Sequence, residues 1–408
     1  MDRPAIAHTF EVWLPPTMTW AYNQIRFVEG VEQTALALAE AGRERLSWEP
    51  KVVVAGPLER RWVGALSKAG RRVCPPSWSR ALAGAHTDIV FSHFGYRGWR
   101  DVPLARRLGA VHLVRFYGHD VDMFPDRWPV WRRRYTELFA AADLMLCEGP
   151  AMAARLVERG CPAEKVEVLP LGVELERFPC RPRTVADDGV VKFLMAAAFR
   201  PKKGISLAIE AFALLHAAHP DTHLTIIGDA GRDIGERAEK TRIIAAVAAH
   251  RLEHAVTFLG FMPYARMIDE AYRHHIFLAP SVTAPDGDNE GGAPVTIIEM
   301  SATGMPVVGS THRDIPNVVD DGVSGLLAVE GDVHGLAERM SDLTEHPERI
   351  PVMAAAARAL VERRFDVRVC AGELEALYRR LLATADAHVP ERPDSGSRDA
   401  SGEGGRPC

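Results

Sequence analysis

Short apolar runs alternate with longer amphipathic stretches along this chain, and the alternation starts over once. In the first half, 10–14, 52–55, 88–92, Val111–Arg115 and Leu144–Cys147 are strand-like runs, while 24–41 has helical spacing. The stretch 177–189, with Pro179, Pro182 and an Asp-Asp-Gly turn, reads as a linker. Beyond it, strand-like runs at 191–197, 223–228, 255–259, 276–280 and 306–309 interleave with helical stretches at 204–217, 236–250, 267–272, Val295–Ala302, 335–343 and 352–363. Strands alternating with helices imply parallel sheets in the α/β class. A chain of 408 residues also exceeds what one core normally accommodates. We therefore expect two Rossmann-like domains facing a central cleft, at 1–180 and 190–365. A last helix at 366–385 follows, then a tail at 389–408. Its Gly, Ser, Pro and charge content predicts disorder.

Composition narrows the class further. Hydrophobic content of 47% and charged content of 25% are those of a soluble globular protein. No run of eighteen apolar residues occurs, and the first residues lack an apolar signal core. Six cysteines are scattered without metal-like spacing, as expected of reduced thiols in a cytoplasmic protein. Charge is uneven: residues 1–190 carry a net +3 and residues 191–408 a net −8. Within the first half, 51–134 holds 16 basic and 6 acidic residues, which suits an anionic partner such as a membrane surface or a phosphate-bearing acceptor. Arginines solvated on several separate helices would give the same count. The stretch 127–135, where Trp128, Trp131 and Tyr135 interleave with arginines, fits either a lipid interface or a helix packing its rings inward. No nucleic acid partner is expected.

In open parallel sheets, ligands bind beyond the carboxyl ends of the strands, so loops following strand-like runs deserve the closest reading. After 191–197 comes Arg200-Pro-Lys-Lys203-Gly204, with Gly204 opening a helix. Free backbone N–H groups at a helix start favour a diphosphate, and Arg200 and Lys203 add full positive charge. A second loop, Asp286-Gly-Asp-Asn-Glu290-Gly291-Gly292-Ala-Pro294, runs into an apolar helix carrying Glu299. Gly291 and Gly292 let backbone approach a ligand closely. A carboxylate such as Glu299 on so apolar a helix needs hydrogen-bond donors, and a ribose diol supplies two. In the first half, Tyr117-Gly118-His119-Asp120 follows Val111–Arg115 and is placed to face the cleft, with Asp120 able to orient the His119 ring. Thr19, Trp20 and Asn23, after the first run, offer hydroxyl, ring and amide groups suited to a sugar acceptor. No Gly-x-Gly-x-x-Gly follows that run, which argues against a dinucleotide-dependent oxidoreductase.

Taken together these motifs resemble the retaining family 4 glycosyltransferases of the GT-B fold, over nearly the whole chain. The nearest likeness is to the colanic-acid and amylovoran type, which build bacterial exopolysaccharide or lipopolysaccharide. Supporting segments include Asn23-Gln-Ile, Ala142-Asp-Leu with Glu148-Gly-Pro-Ala-Met152, and Lys165-Val-Glu-Val-Leu-Pro-Leu-Gly172-Val-Glu. Ile226-Ile-Gly-Asp-Ala-Gly231, Phe258-Leu-Gly-Phe261 and Ile315-Pro-Asn-Val-Val-Asp-Asp-Gly322 add to them.

The resemblance implies transfer of a hexose from a UDP- or GDP-sugar to a glycan or lipid-linked saccharide, with retained anomeric configuration. It implies no cofactor and no obligatory metal, and a cytoplasmic location that can include peripheral contact with the inner face of a membrane. It makes the first domain the acceptor-binding one and the second the nucleotide-sugar-binding one, with the last helix crossing back to the first. Lys203 and Arg200 then neutralise the diphosphate beside Gly204, Glu299 binds ribose, and Glu290 with Gly291 and Gly292 orients the sugar. His119 or Tyr117 lines the acceptor side, with His119 counted among the catalytic residues and Tyr117 and Gly118 among those that bind the donor. Three departures stand out. Eight residues rather than seven separate Glu290 from Glu299, which puts Gly291 at the family's first glutamate position. The family's arginine position, five before the lysine, holds Ala198. The family's His-Gly is Tyr117-Gly118 here. Two other readings fit the same motifs: a nucleotide-sugar epimerase of this build, and a non-catalytic nucleotide-sugar-binding subunit.

Overall fold

The computed structural model describes residues 3–13, 19–41, 50–185 and 189–387. The expected disordered tail at 389–408 lies outside the described residues, as do 186–188 of the linker. Two parallel sheets form. The first contains β1 (Ala5–Trp13), β2 (Glu32–Glu40), β3 (Lys51–Val54), β4 (Ile89–His93), β5 (Val111–Arg115), β6 (Leu144–Cys147) and β7 (Val166–Val168), in the order β3-β2-β1-β4-β5-β6-β7. The second contains β8 (Val191–Ala196), β9 (Thr222–Ile227), β10 (Val256–Gly260), β11 (Ile276–Ala279), β12 (Val307–Ser310) and β13 (Gly325–Ala328), in the order β10-β9-β8-β11-β12-β13.

Helices cover both faces of each sheet, and several strands are buried along their whole length. Every residue of β4, β6, β11, β12 and β13 is buried. That is why β4, β6, β11 and β12 read as short apolar runs rather than alternating ones, whereas β13 lies where the sequence pattern suggested no strand. The same effect misleads at 24–41. Helical spacing there predicts one helix, but the helix ends at Arg26 and Glu32–Glu40 is strand β2. Ala35, Leu36, Ala37 and Leu38 are all buried, two toward each face of the sheet. An apolar run buried on both faces carries no period to tell strand from helix.

Each sheet reverses its winding once, between β1 and β4 in the first and between β8 and β11 in the second. Crevices open at these switch points, beyond the strand ends. Two chain crossings lie side by side next to them. Val173 N–H donates to Phe365 O (2.8 Å) and Val367 N–H donates to Val173 O (3.0 Å). The final helix, Val367–Ala387, then returns to the first sheet. Its Leu374, Leu377 and Tyr378 pack with Ile6, Ile89 and Phe91 in one apolar cluster.

Candidate functional site: a cleft between two strand-end loops

The basic turn forms where β8 leaves its sheet. Pro201–Lys203 makes a single tight turn, and Gly204 takes a left-handed backbone (φ 64°) to start the helix Ile205–Ala218. A side chain at Gly204 would collide with the carbonyl oxygen of Pro280, 2.0 Å from its Cβ position. Glycine thus serves conformation and close packing at once. Lys203 Nζ lies 2.8 Å from Glu290 Oε1 and 3.0 Å from its Oε2, and Ser281 Oγ donates to Oε1 at 2.9 Å. Burial pushes the Glu290 carboxyl up, but Lys203, Lys202 and Ser281 outweigh it and hold the group below its ordinary range. His312 accepts from the Glu290 N–H at 3.2 Å through Nε2, while its Nδ1 lies 3.0 Å from Glu330. Lys202 is buried on Asp288 Oδ1 (3.1 Å) and the Asn289 carbonyl (2.8 Å). Arg200 is largely exposed, 3.6 Å from Glu236 and 3.9 Å from Asp288.

Glu299 sits on the helix Val295–Ala302, half-buried, and accepts a 2.6 Å hydrogen bond from the Tyr264 hydroxyl. Burial pushes its carboxyl up to about 7, against the opposing pull of Tyr264 and Arg177. This is a carboxylate short of donors, as its apolar setting predicts.

The opposite wall comes from the loop after β5. Gly118 (φ 111°) meets the second domain directly: a Cβ there would lie 2.6 Å from the Glu290 carbonyl oxygen. The Tyr117 hydroxyl donates to Gln24 Oε1 at 3.3 Å and bonds the His93 ring. Trp20 packs on the Tyr117 ring with centroids 4.3 Å apart. His119 is half-buried among Phe94, Tyr96 and Phe124. Asp120 is fully buried and accepts from the backbone N–H groups of Gly95 (2.8 Å) and Tyr117 (3.0 Å). It thereby holds the turn itself, and the neighbouring His119 acts on its charge against the effect of burial. Asn23 is half-buried on the first helix. Thr19 begins that helix, and its side chain lies outside the described residues.

The structure thus gathers Lys203, Glu290, Gly291 and Gly292 against Gly118 in one cleft, with Tyr117 and Trp20 behind. Sequence reasoning passed over several neighbours. Asp122 receives Arg155 (2.8 Å) from its own domain and Arg313 (3.0 Å) and Asn289 (3.2 Å) from the other. Asp314 accepts from the N–H groups of Ala151 (2.7 Å) and Met152 (3.2 Å), so the second domain supplies the cap for the helix Pro150–Glu158 of the first. Arg115 is fully buried at the end of β5, where its Nη2 donates to the Leu169 carbonyl at 2.5 Å. Glu148 follows β6 and faces Gly292. No local spacing marks these residues, because each acts across a distance of more than twenty positions in the chain.

Comparison with known proteins agrees with this architecture. Residues 28–177 match the family described as Glycosyltransferase Family 4, and residues 179–360 match Glycosyl transferases group 1. The amylovoran biosynthesis glycosyltransferase AmsK of Erwinia amylovora is 32% identical over 81% of this chain and 80% of its own length. The putative colanic acid biosynthesis glycosyltransferase WcaL of Escherichia coli K12 is 33% identical over 72% of this chain and 71% of its own. Among solved structures, Anabaena HepE in complex with UDP and glucose superposes with a TM-score of 0.72, at 19% identity, over 92% of this chain and all of that one. The last likeness establishes the shared fold, two facing Rossmann-like domains of the GT-B type.

Proposed function

The chain belongs to the family 4 and group 1 glycosyltransferases, and on that premise we propose that it is a retaining hexosyltransferase of bacterial exopolysaccharide or lipopolysaccharide assembly. The donor is a UDP- or GDP-hexose and the acceptor a glycan or lipid-linked saccharide. The observation that carries this reading is the Lys203–Glu290 pair, set between the start of the helix Ile205–Ala218 and the Gly118 loop. The helix start and Lys203, with Arg200 at the rim, take the diphosphate. Glu299 takes the ribose hydroxyls, and the loop 290–292 takes the sugar.

In the reaction, the bond between the anomeric carbon and the diphosphate oxygen breaks. The acceptor oxygen bonds the same face of that carbon, and its proton passes to the departing diphosphate. Negative charge growing on the leaving group is met by groups already in place, which is where such groups lower a barrier most. No metal enters this scheme.

Similarity to AmsK and WcaL supports the polysaccharide setting. A GDP-mannose-dependent phosphatidylinositol monomannoside mannosyltransferase of Corynebacterium glutamicum, 26% identical over 84% of this chain and 80% of its own length, keeps a guanine donor in view beside uracil. A thermal-shift panel of UDP-, GDP- and ADP-sugars tests the donor: one class should raise the melting temperature, and none doing so would sink the proposal. Proton NMR of the product then reads the anomeric configuration.

A further inference from the structure

The loop residue expected to hold the transferred sugar is already occupied. Both Glu290 oxygens contact Lys203, and one also accepts from Ser281. The carboxyl without such partners is Glu148, at the carboxyl end of β6 on the other side of the cleft. It makes no hydrogen bond or ion pair with any described residue. It points at the bare Cα of Gly292, where an added Cβ would lie 2.4 Å from Glu148 Oε2. Glu148 also lines a void of about 10 Å³, the size of one water, shared with Ala293, Val295, Asp314 and Asn317 of the second domain. On the adjacent strand, fully buried Arg115 leaves its Nε and Nη1 without partners.

We propose that Glu148 is a specificity-determining residue that binds a hydroxyl of the transferred hexose from the first domain, the task otherwise assigned to Glu290. The inference rests on the donor reading given above. Two features support it. The Glu148 carboxyl sits directly against Gly292, so the first domain sets it at the edge of the loop read as sugar-binding. Glu148 is only half-buried, so its carboxyl remains open to the cleft and can exchange water for a ligand hydroxyl. Burial pushes the Glu148 carboxyl up to about 8. Arg115 opposes that shift, while Asp120, Asp314 and Glu290 reinforce it. Around neutral pH it is therefore chiefly a neutral acid, able both to donate to and to accept from one sugar hydroxyl.

The test compares wild type, Glu148→Ala and Glu148→Gln by calorimetric titration. The ligands are the nucleoside diphosphate alone and the nucleotide sugar selected by the panel. Glu148→Ala should bind the diphosphate as wild type does, while its affinity for the nucleotide sugar falls on the order of 10- to 100-fold. Glu148→Gln should recover most of the loss, and neither variant should melt below wild type without ligand. Equal loss for both ligands would mark a structural role and overturn the inference, as would unchanged nucleotide-sugar binding in Glu148→Ala. If wild type itself binds no nucleotide sugar, the donor reading falls and this inference falls with it.

Discussion

A Cβ added to Gly291 would lie 2.0 Å from the Cα of Gly118, so the two domains touch backbone to backbone at the centre of the cleft. Both residues have positive φ, 74° at Gly291 and 111° at Gly118. The contact joins the loop read as sugar-binding to the loop after β5. Any side chain at either point would separate these walls.

Gly291→Ala follows directly. The left-handed backbone alone disfavours alanine by roughly 1–2 kcal/mol, and the methyl also meets Gly118. We expect kcat/KM to fall at least about 100-fold, in line with the sensitivity of catalysis to displacements of about an ångström. The protein should still fold. Steady-state kinetics with circular dichroism read both, and a variant with full activity would show that this contact opens during turnover.

Lys203 and Glu290 form a pair in which Glu290 is almost wholly buried. Lys203→Ala leaves that carboxylate without its cation, which typically destabilises by about 3–5 kcal/mol. Adding Glu290→Gln should restore most of the melting temperature and none of the activity. Recovery of transfer in the double variant would show that Lys203 serves the fold alone.

Closure is held at two further points. Arg313 and Asn289 reach Asp122, and Asp314 caps the helix Pro150–Glu158. Asp314→Ala removes the cap, worth about 1 kcal/mol. It should increase the radius of gyration of the ligand-free protein in small-angle scattering, with donor reversing the change. Arg313→Ala should act in the same direction, since Asp122 keeps Arg155 and Arg159 of its own domain. No change in either variant would place the hold on closure elsewhere.

The sign of pH dependence follows from Glu299. Its folded carboxyl is pushed up to about 7 from an ordinary 4.5. The folded state therefore binds more protons than the unfolded one between those values. The stability this group contributes is present below about 4.5 and is lost as pH rises toward 7. Donor affinity moves the other way, because ribose hydroxyls favour the carboxylate as acceptor. The nucleotide-sugar Kd should fall as pH rises from about 6 to 8, and Glu299→Gln should flatten the profile. A profile unchanged by Glu299→Gln would remove Glu299 from the ribose.

The basic first domain can be tested against lipid. Trp62 and Trp128 are exposed on that domain, beside Arg60, Arg61 and Arg127. Co-sedimentation with vesicles containing anionic lipid should exceed that with neutral vesicles and weaken with salt over the range where surface charge is screened. Equal recovery from both vesicles would assign the arginines to ion pairs such as Arg132–Asp126 and Arg72–Glu137.

Much of the second domain was legible in local pattern. Val295–Ala302 is a helix with the bounds its apolar spacing predicts, and Gly204 opens the helix after β8. The first domain was harder. At 24–41 the run from Ala35 to Leu38, buried on both faces, erased the period that separates strand from helix. The charge on 127–135 was ambiguous for a similar reason. Trp131 and Tyr135 turn inward to the core while Trp128 stays exposed, a division that only packing makes.

The sequence by itself determined the class of fold and the family, because strand–helix alternation, turn glycines and charged turns act through near neighbours in the chain. It also placed Lys203, Glu290 and Glu299 on loops and a helix at strand ends. Only the tertiary structure decided which carboxyl is spoken for. Lys203 and Glu290 are 87 positions apart and close to 2.8 Å, whereas Glu148 reaches Gly292 without acquiring a cation. Pairing of buried charge depends on distance and dielectric in the assembled cleft, and neither is written in the spacing of residues along a chain.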